Sequence, residues 1–274
     1  MSELGRALAA RIDDPVRAAY YLEVGEFCLG VVDRSASHPV IIGINGPQGC
    51  GKSSLARHLV DALDVIGVRA VDLSIDDFYL RRDAQLELAA RHPRDRTLEH
   101  RGYPGTHDVE LGRRTLAALA DGRRTLAPVY DKSAHAGRGD RAPVTAWRMI
   151  EPPLDLVILE GWMLGFEPLA EDRVPGELRA PNALLGAYDA WTSLLDGRVA
   201  LSPASIDDIV TWRVDAERAR RARGEPALSD DDARDYVERF LPAYRAYLPG
   251  LARARAGSPS LTLTIGLDRA PVPR

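Results

Sequence analysis

Residues 43–54 read Gly-Ile-Asn-Gly-Pro-Gln-Gly-Cys-Gly-Lys-Ser-Ser, and no other stretch so narrows what this chain can fold into. Gly46 and Gly51, followed at once by Lys52 and Ser53, give the Gly-x-x-x-x-Gly-Lys-Ser spacing of a phosphate-cradling loop. Glycines let successive backbone N–H groups converge on phosphate oxygens, and a helix opening directly after them adds partial positive charge. That geometry needs a strand before the loop and a helix after it. Val40-Ile41-Ile42 lies within a β-branched segment read as a buried strand from His38 to Asn45. Leu55, Leu59, Leu63 and Ile66 then recur at helical spacing up to Gly67. Gly46, Pro47, Gln48, Gly49, Cys50, Gly51, Lys52, Ser53 and Ser54 are therefore expected to hold a nucleotide triphosphate. Lys52 is expected to reach the β and γ phosphates, and the Ser53 hydroxyl to bind Mg²⁺.

The rest of the chain reads as alternating strands and helices, which implies a mostly parallel sheet with helices on both faces. The expected class is α/β, a P-loop NTPase three-layer sandwich. Val16, Tyr20, Val24 and Phe27 mark a helix over 15–31, packed on the main domain. Val68–Ser74 reads as a second strand, 81–106 as loop and short helix, and Asp108–Ala120 as a helix stopped by Gly122. Residues 127–153 carry Gly and Pro with little periodicity, a long excursion of the kind that usually serves function. Leu154–Leu159 is an apolar strand of parallel-sheet type, and Val199–Leu201 suggests another. Ile206–Arg223 reads as a charged helix and Ser229–Tyr247 as one more, with Ser229 as N-cap and three Asp in its first turn. Leu261–Leu267 is a last strand after the breakers Gly257 and Pro259. The organisation expected is one domain over 1–274, with an N-terminal helical extension (1–37), an acceptor-binding excursion (81–153) and a helical lid (206–250).

A net charge of only −4, with basic and acidic residues interspersed, argues against nucleic acid or an anionic membrane as partner. Cys28 and Cys50 lack metal-ligand spacing and read as free thiols in a reducing compartment. With no signal-like apolar core and no run near membrane-spanning length, the expected location is cytoplasmic. The expected partner is a small-molecule substrate, and the chain a monomer or homodimer.

Further motifs surround the loop. In Leu154-Asp155-Leu156-Val157-Ile158-Leu159-Glu160-Gly161 an apolar strand ends in an acid, at the strand end where open α/β sheets bind ligands. Glu160 is a candidate to orient Mg²⁺ or to contact the substrate. Ser74-Ile75-Asp76-Asp77-Phe78-Tyr79 places acids at the end of the second strand, where a kinase needs a carboxylate to orient an acceptor hydroxyl or take its proton. Either Asp76 or Asp77 suits that role. Tyr130, Asp131 and Lys132, with Arg138 and Arg141 of Gly-Arg-Gly-Asp-Arg, suit acceptor hydroxyls and a carboxylate or phosphate. Trp212-Arg213, followed by Arg218, Arg220, Arg221 and Arg223, reads either as a solvated helix face or as a lid arginine over the nucleotide.

With these residues in view, the chain resembles the D-glycerate 3-kinase family of plants, fungi and bacteria, within the P-loop kinases that include uridine kinase, phosphoribulokinase and pantothenate kinase. The matching segments are GPQGCGKSS (46–54), SIDDFYL (74–80), RGYPGTHD (101–108), PVYDKSAHAGRGDR (128–141), LDLVILEGWMLGF (154–166) and the stretch from Trp212 to Leu251. The resemblance implies ATP and Mg²⁺ as cofactors, with Lys52 and Ser53 on ATP–Mg²⁺ and Glu160 at the second acidic position. It implies Asp76 as catalytic base, with Asp77 the near alternative, and Tyr79, His107, Tyr130, Asp131, Lys132, Arg138 and Arg141 around the acceptor. Arg213 and Arg221 become lid candidates. One position departs from the family pattern: Tyr103 stands where the family has Asn. The implied reaction is phosphoryl transfer from ATP to a hydroxyl, with D-glycerate to 3-phosphoglycerate as the leading case. Another small acceptor (a nucleoside, a pantothenate-like compound or a sugar) or a regulatory P-loop ATPase is the alternative.

Overall fold

The computed structural model describes residues 1–37, 39–251 and 258–273. In chain order the strands are β1 (Val40–Asn45), β2 (Ala70–Ser74), β3 (Thr125–Ala127), β4 (Tyr130–Asp131), β5 (Asp140–Arg141), β6 (Arg148–Ile150), β7 (Leu156–Gly161), β8 (Gly197–Pro203) and β9 (Ser260–Ile265). Five of them form one sheet in the order β2-β7-β1-β8-β9, and every pairing is parallel. The central strands β1 and β7 are buried at every residue. Their apolar runs answer the requirement that a parallel sheet be covered on both faces. The register sets Asn45 against Gly161 and both Ile44 and Ser74 against Glu160. The carboxyl ends of β1, β2 and β7 thus come together, which is where the nominated loop and acids begin.

The helices are α1 (Glu3–Ala9), α2 (Pro15–Arg34), α3 (Lys52–Val65), α4 (Arg82–Arg91), α5 (Val109–Ala120), α6 (Arg179–Leu185), α7 (Asp189–Thr192), α8 (Asp208–Ala222), α9 (Asp230–Glu238) and α10 (Leu241–Leu251). Helix α2 lies on one face of the sheet: at Gly197 a Cβ would meet Ile42, Val31 and Phe27. On the other face a Cβ at Gly43 would meet Leu195 and Leu164. Local chemistry explains the helix starts. Asp14 accepts the N–H groups of Val16 and Arg17 ahead of Pro15 in the first turn. Asp108 caps α5 through the Leu111 N–H, and Ser229 caps α9 through that of Asp232.

Several expectations change. The single helix over Ser229–Tyr247 is two, α9 and α10. Pro242 sits in the first turn of α10, where its missing N–H cannot continue α9. Helix α1 is additional; Ser2 accepts the Gly5 N–H, and Leu4 and Leu8 are buried. Val16 is exposed instead of facing the core, and α2 runs on to Arg34. The strand expected from Leu154 starts at Leu156 and reaches Gly161, and the last strand ends at Ile265. The excursion over 127–153 contains two small antiparallel ladders, β3 with β6 and β4 with β5. His38 and Gly257 lie outside the described residues. Among the described residues, no helix is long and apolar enough to cross a membrane.

Candidate active site

Between β1 and α3 the loop turns on glycines with positive φ, Gly49 at 81° and Gly51 at 98°. A Cβ at Gly51 would meet nothing within 4 Å, so this face of the loop stays open for a ligand. The Ser53 hydroxyl donates to Glu160 Oε1 at 2.7 Å, and Lys52 Nζ lies 3.9 Å from Oε2. Glu160 is only 4% exposed, and its Oε2 accepts no hydrogen bond. A buried carboxylate oxygen without a donor, beside the Ser53 hydroxyl, offers the oxygen ligands a hard divalent cation takes, while the nearby Lys52 ammonium faces phosphate. Among the described residues, no group of three or more His, Cys, Asp or Glu could hold a metal ion alone. The pair suits Mg²⁺, which completes its shell with water and phosphate oxygens.

The back of the loop is clamped. Arg269 donates to the carbonyls of Gly49 (2.9 Å) and Trp212 (3.1 Å), and the Tyr244 hydroxyl accepts the Gln48 N–H at 3.1 Å. Cys50 is buried against Gly46, and burial pushes its thiol up. Beside the loop a cavity of about 400 Å³ is lined by Tyr20, Gly49, Gly51, Ser54, Ala219 and Arg269, among others.

The two acids follow β2. Asp76 donates its N–H to Ser74 Oγ at 3.3 Å, and its carboxylate meets Lys132 Nζ at 2.5 Å. Burial pushes the Asp76 carboxyl up. The Lys132 ammonium, backed by Lys52, outweighs this and holds it below the usual carboxylate range. Asp77 behaves oppositely: burial, reinforced by the neighbouring Asp76 charge, raises it to about 6 against the Tyr130 N–H bond. Asp76 thus pairs with the 127–153 excursion and feels the P-loop lysine, while Asp77 anchors β4. Lys132→Gln removes the main charge that lowers Asp76. The acidic limb of the rate–pH profile is expected to move to higher pH in that variant; an unmoved limb would show that Asp76 does not set it.

His107 is buried, stacks on Tyr79 with ring centroids 4.3 Å apart, and bonds the Tyr188 hydroxyl through Nδ1 at 2.8 Å. Burial lowers it to about 3, so it is neutral. Tyr79 meets Tyr130 edge-on. Three nominated groups are engaged in holding structure. Asp131 accepts from Ser133 N and Oγ and caps its own turn. Arg141, its side chain 10% exposed, bonds Asp108 Oδ2 at 3.2 Å and the Tyr79 carbonyl at 2.8 Å. Arg221 bonds Asp230 and the Leu228 carbonyl, tying α8 to α9. Arg138 is exposed and donates to His100 Nε2. Arg213 pairs with Glu217 at 2.5 Å and lies over the Tyr236 ring.

Residues 41–169 match the phosphoribulokinase/uridine kinase family model. The chloroplastic D-glycerate 3-kinase of Arabidopsis thaliana is 41% identical over 240 residues, 84% of this chain and 53% of that protein, so the chain spans about half its length. An uncharacterised kinase of Schizosaccharomyces pombe, mug58, is 36% identical over 78% of this chain and 83% of its own. The solved D-glycerate 3-kinase of Cryptococcus neoformans superposes with a TM-score of 0.85 at 28% identity, covering 93% of this chain and 98% of that one. The chain belongs to the same kinase family as mug58, and its residues 41–169 carry the phosphoribulokinase/uridine kinase pattern.

Several residues that shape the site carry no motif. Arg269 follows the last strand and acts through the Gly49 carbonyl, a contact spanning 220 residues. Arg101 lies over the Tyr130 ring and donates to the carbonyls of Lys132, Gly137 and Arg138, holding the excursion closed. Gly49 is a more legible constraint. A Cβ there would stand 2.6 Å from the Trp212 backbone, at a φ that side chains disfavour. Gly49→Ala is expected to cost about 1–3 kcal/mol, lowering the melting temperature by several degrees, and to raise the KM for Mg-ATP. A melt and KM equal to wild type would contradict this packing.

Proposed function

We propose that this chain transfers the γ-phosphoryl group of ATP to a hydroxyl of D-glycerate, giving 3-phosphoglycerate and ADP. The observation that carries the reading is Asp76, a carboxylate at the end of β2 that meets Lys132 of the excursion and feels Lys52 of the P-loop. It stands between a donor half and an acceptor half. The P-loop amides and Lys52 would hold the phosphates, and Ser53 and Glu160 would hold Mg²⁺, which when bound would neutralise charge on the phosphate oxygens. The acceptor oxygen forms a bond to Pγ as the bond from Pγ to the ADP oxygen breaks, and the hydroxyl proton passes to Asp76. Because that transition state is loose, the carboxylate serves mainly by orienting the hydroxyl, which a low pKa does not prevent. The helices α8 to α10 act as a lid: the Trp212–Arg213 backbone already lies on Gly49, and excluding water keeps hydrolysis from competing. The relatives named D-glycerate 3-kinase support this acceptor, and the buried free thiols Cys28 and Cys50 suit a reducing cytoplasm.

The test is ADP release with Mg-ATP and a panel of acceptors: D-glycerate, L-glycerate, glycerol, uridine, pantothenate and simple sugars. D-Glycerate is expected to stimulate most. Stimulation by another compound and not by D-glycerate would reject the acceptor, and turnover independent of any acceptor would favour an ATPase.

A further inference from the structure

Arg138 and Arg141, nominated for an acidic acceptor, are committed elsewhere, as are Arg101 and Arg213, and Arg239 is not. Arg101, Arg138, Arg141 and Arg213 each donate to a carbonyl, a ring nitrogen or a carboxylate. Arg239 has its guanidinium over the Tyr236 ring at 5.0 Å, and its Nε is buried without a partner. It makes no hydrogen bond or ion pair through its side chain among the described residues. Arg213 shares the same ring at 4.9 Å, but Glu217 neutralises it. The charge on Arg239 therefore has no counter-charge among the described residues, and a partly desolvated guanidinium favours an anion.

The position is built. Arg239 occupies the break between α9 and α10 that Pro242 enforces. Its carbonyl accepts the hydroxyl of Tyr103, whose ring stacks on Phe240 with centroids 5.0 Å apart. Phe240 in turn packs under Gly102, beside Arg101. The residue where this chain departs from the family pattern, Tyr103, is thus the clamp that fixes Arg239. Arg239 stands toward the acceptor side: its neighbour Phe240 packs against Gly102, next to Arg101, and Arg101 lies over the Tyr130 ring and donates to the carbonyl of Lys132, the partner of Asp76. The donor phosphates already have the P-loop and Lys52.

We propose that Arg239, laid on Tyr236 and held by Tyr103, takes the carboxylate of the acceptor and makes the site selective for hydroxy acids. This rests on the kinase reading above and assigns the anion-binding role to Arg239 in place of Arg138 or Arg141. Arg239→Gln and Tyr103→Phe test it by steady-state kinetics, with glycerol as an acceptor that keeps the hydroxyls and lacks the carboxylate. Arg239→Gln is expected to raise the KM for D-glycerate ~10- to 100-fold, the worth of one charge-assisted contact, with the KM for Mg-ATP and any turnover of glycerol unchanged. Tyr103→Phe moves the KM the same way by less. Arg239→Lys recovers part of it, and carries the test if the glutamine variant melts early. An unchanged glycerate KM, or a rise confined to Mg-ATP, overturns the proposal, as does a wild type that accepts only uncharged compounds. A wild type that ignores glycerate but phosphorylates another hydroxy acid, with Arg239→Gln losing it, rejects the named acceptor and keeps the role of Arg239.

Discussion

Lys52→Ala is expected to abolish phosphoryl transfer while leaving the fold intact. Lys52 opens α3, where the loop backbone leaves the helix N-terminus facing the open side of Gly51. Its ammonium is the loop's mobile charge, able to follow the γ-phosphate as charge shifts toward the leaving oxygen. Removing one preorganised electrostatic donor of this kind typically costs 10²–10³ in kcat, and a charge on the transferring group itself places the loss at the upper end of that range, ~10³ or more. Stability changes little, because Glu160 keeps its bond from Ser53 when the ammonium at 3.9 Å is gone. Single-turnover transfer and a thermal melt on the same preparation separate the two effects. An unchanged melt with lost transfer is expected; substantial turnover in the variant would sink the P-loop assignment.

Asp76→Asn comes next in size, with kcat expected to fall ~10²–10⁴-fold, the usual worth of a positioned acid or base. The KM for Mg-ATP stays near wild type, since no donor phosphate depends on this side chain. The neighbouring pair gives an internal control. Asp77 holds the Tyr130 N–H, and burial raises it to about 6, so Asp77→Asn acts through the position of β4. It is expected to cut kcat by less than tenfold and to raise the acceptor KM. If Asp77→Asn instead matched or exceeded Asp76→Asn in kcat, the assignment of the two acids would reverse.

Much of the donor half was legible in the sequence because its chemistry is local. The glycines, Lys52 and Ser53 are neighbours, and the apolar runs of β1 and β7 announce strands buried on both faces. Glu160 is nominated because it ends such a run, and Asp76 because it follows β2. The acceptor half was harder, because its partners are far apart in the chain. Arg141 looked like a free fork until Asp108 and the Tyr79 carbonyl, 33 and 62 residues away, claimed it. Arg221 read as a lid residue and bridges α8 to α9 instead. The break at Pro242 was visible as a proline but was read through, since Tyr236, Val237, Phe240 and Tyr244 keep helical spacing across it. Missing the break hid Arg239. Helix α1 is short and ordinary in composition, and its Ser2 cap and buried Leu4, Ala7 and Leu8 explain its presence.

The central claim is that one crevice joins an ATP-holding loop to a hydroxy-acid acceptor. Phosphorus NMR of the product formed from D-glycerate and Mg-ATP tests it most directly. The account predicts a phosphomonoester on the C3 hydroxyl of D-glycerate, accumulating in step with ADP and absent with Lys52→Ala. Inorganic phosphate accumulating in step with ADP, with no ester formed, would contradict it.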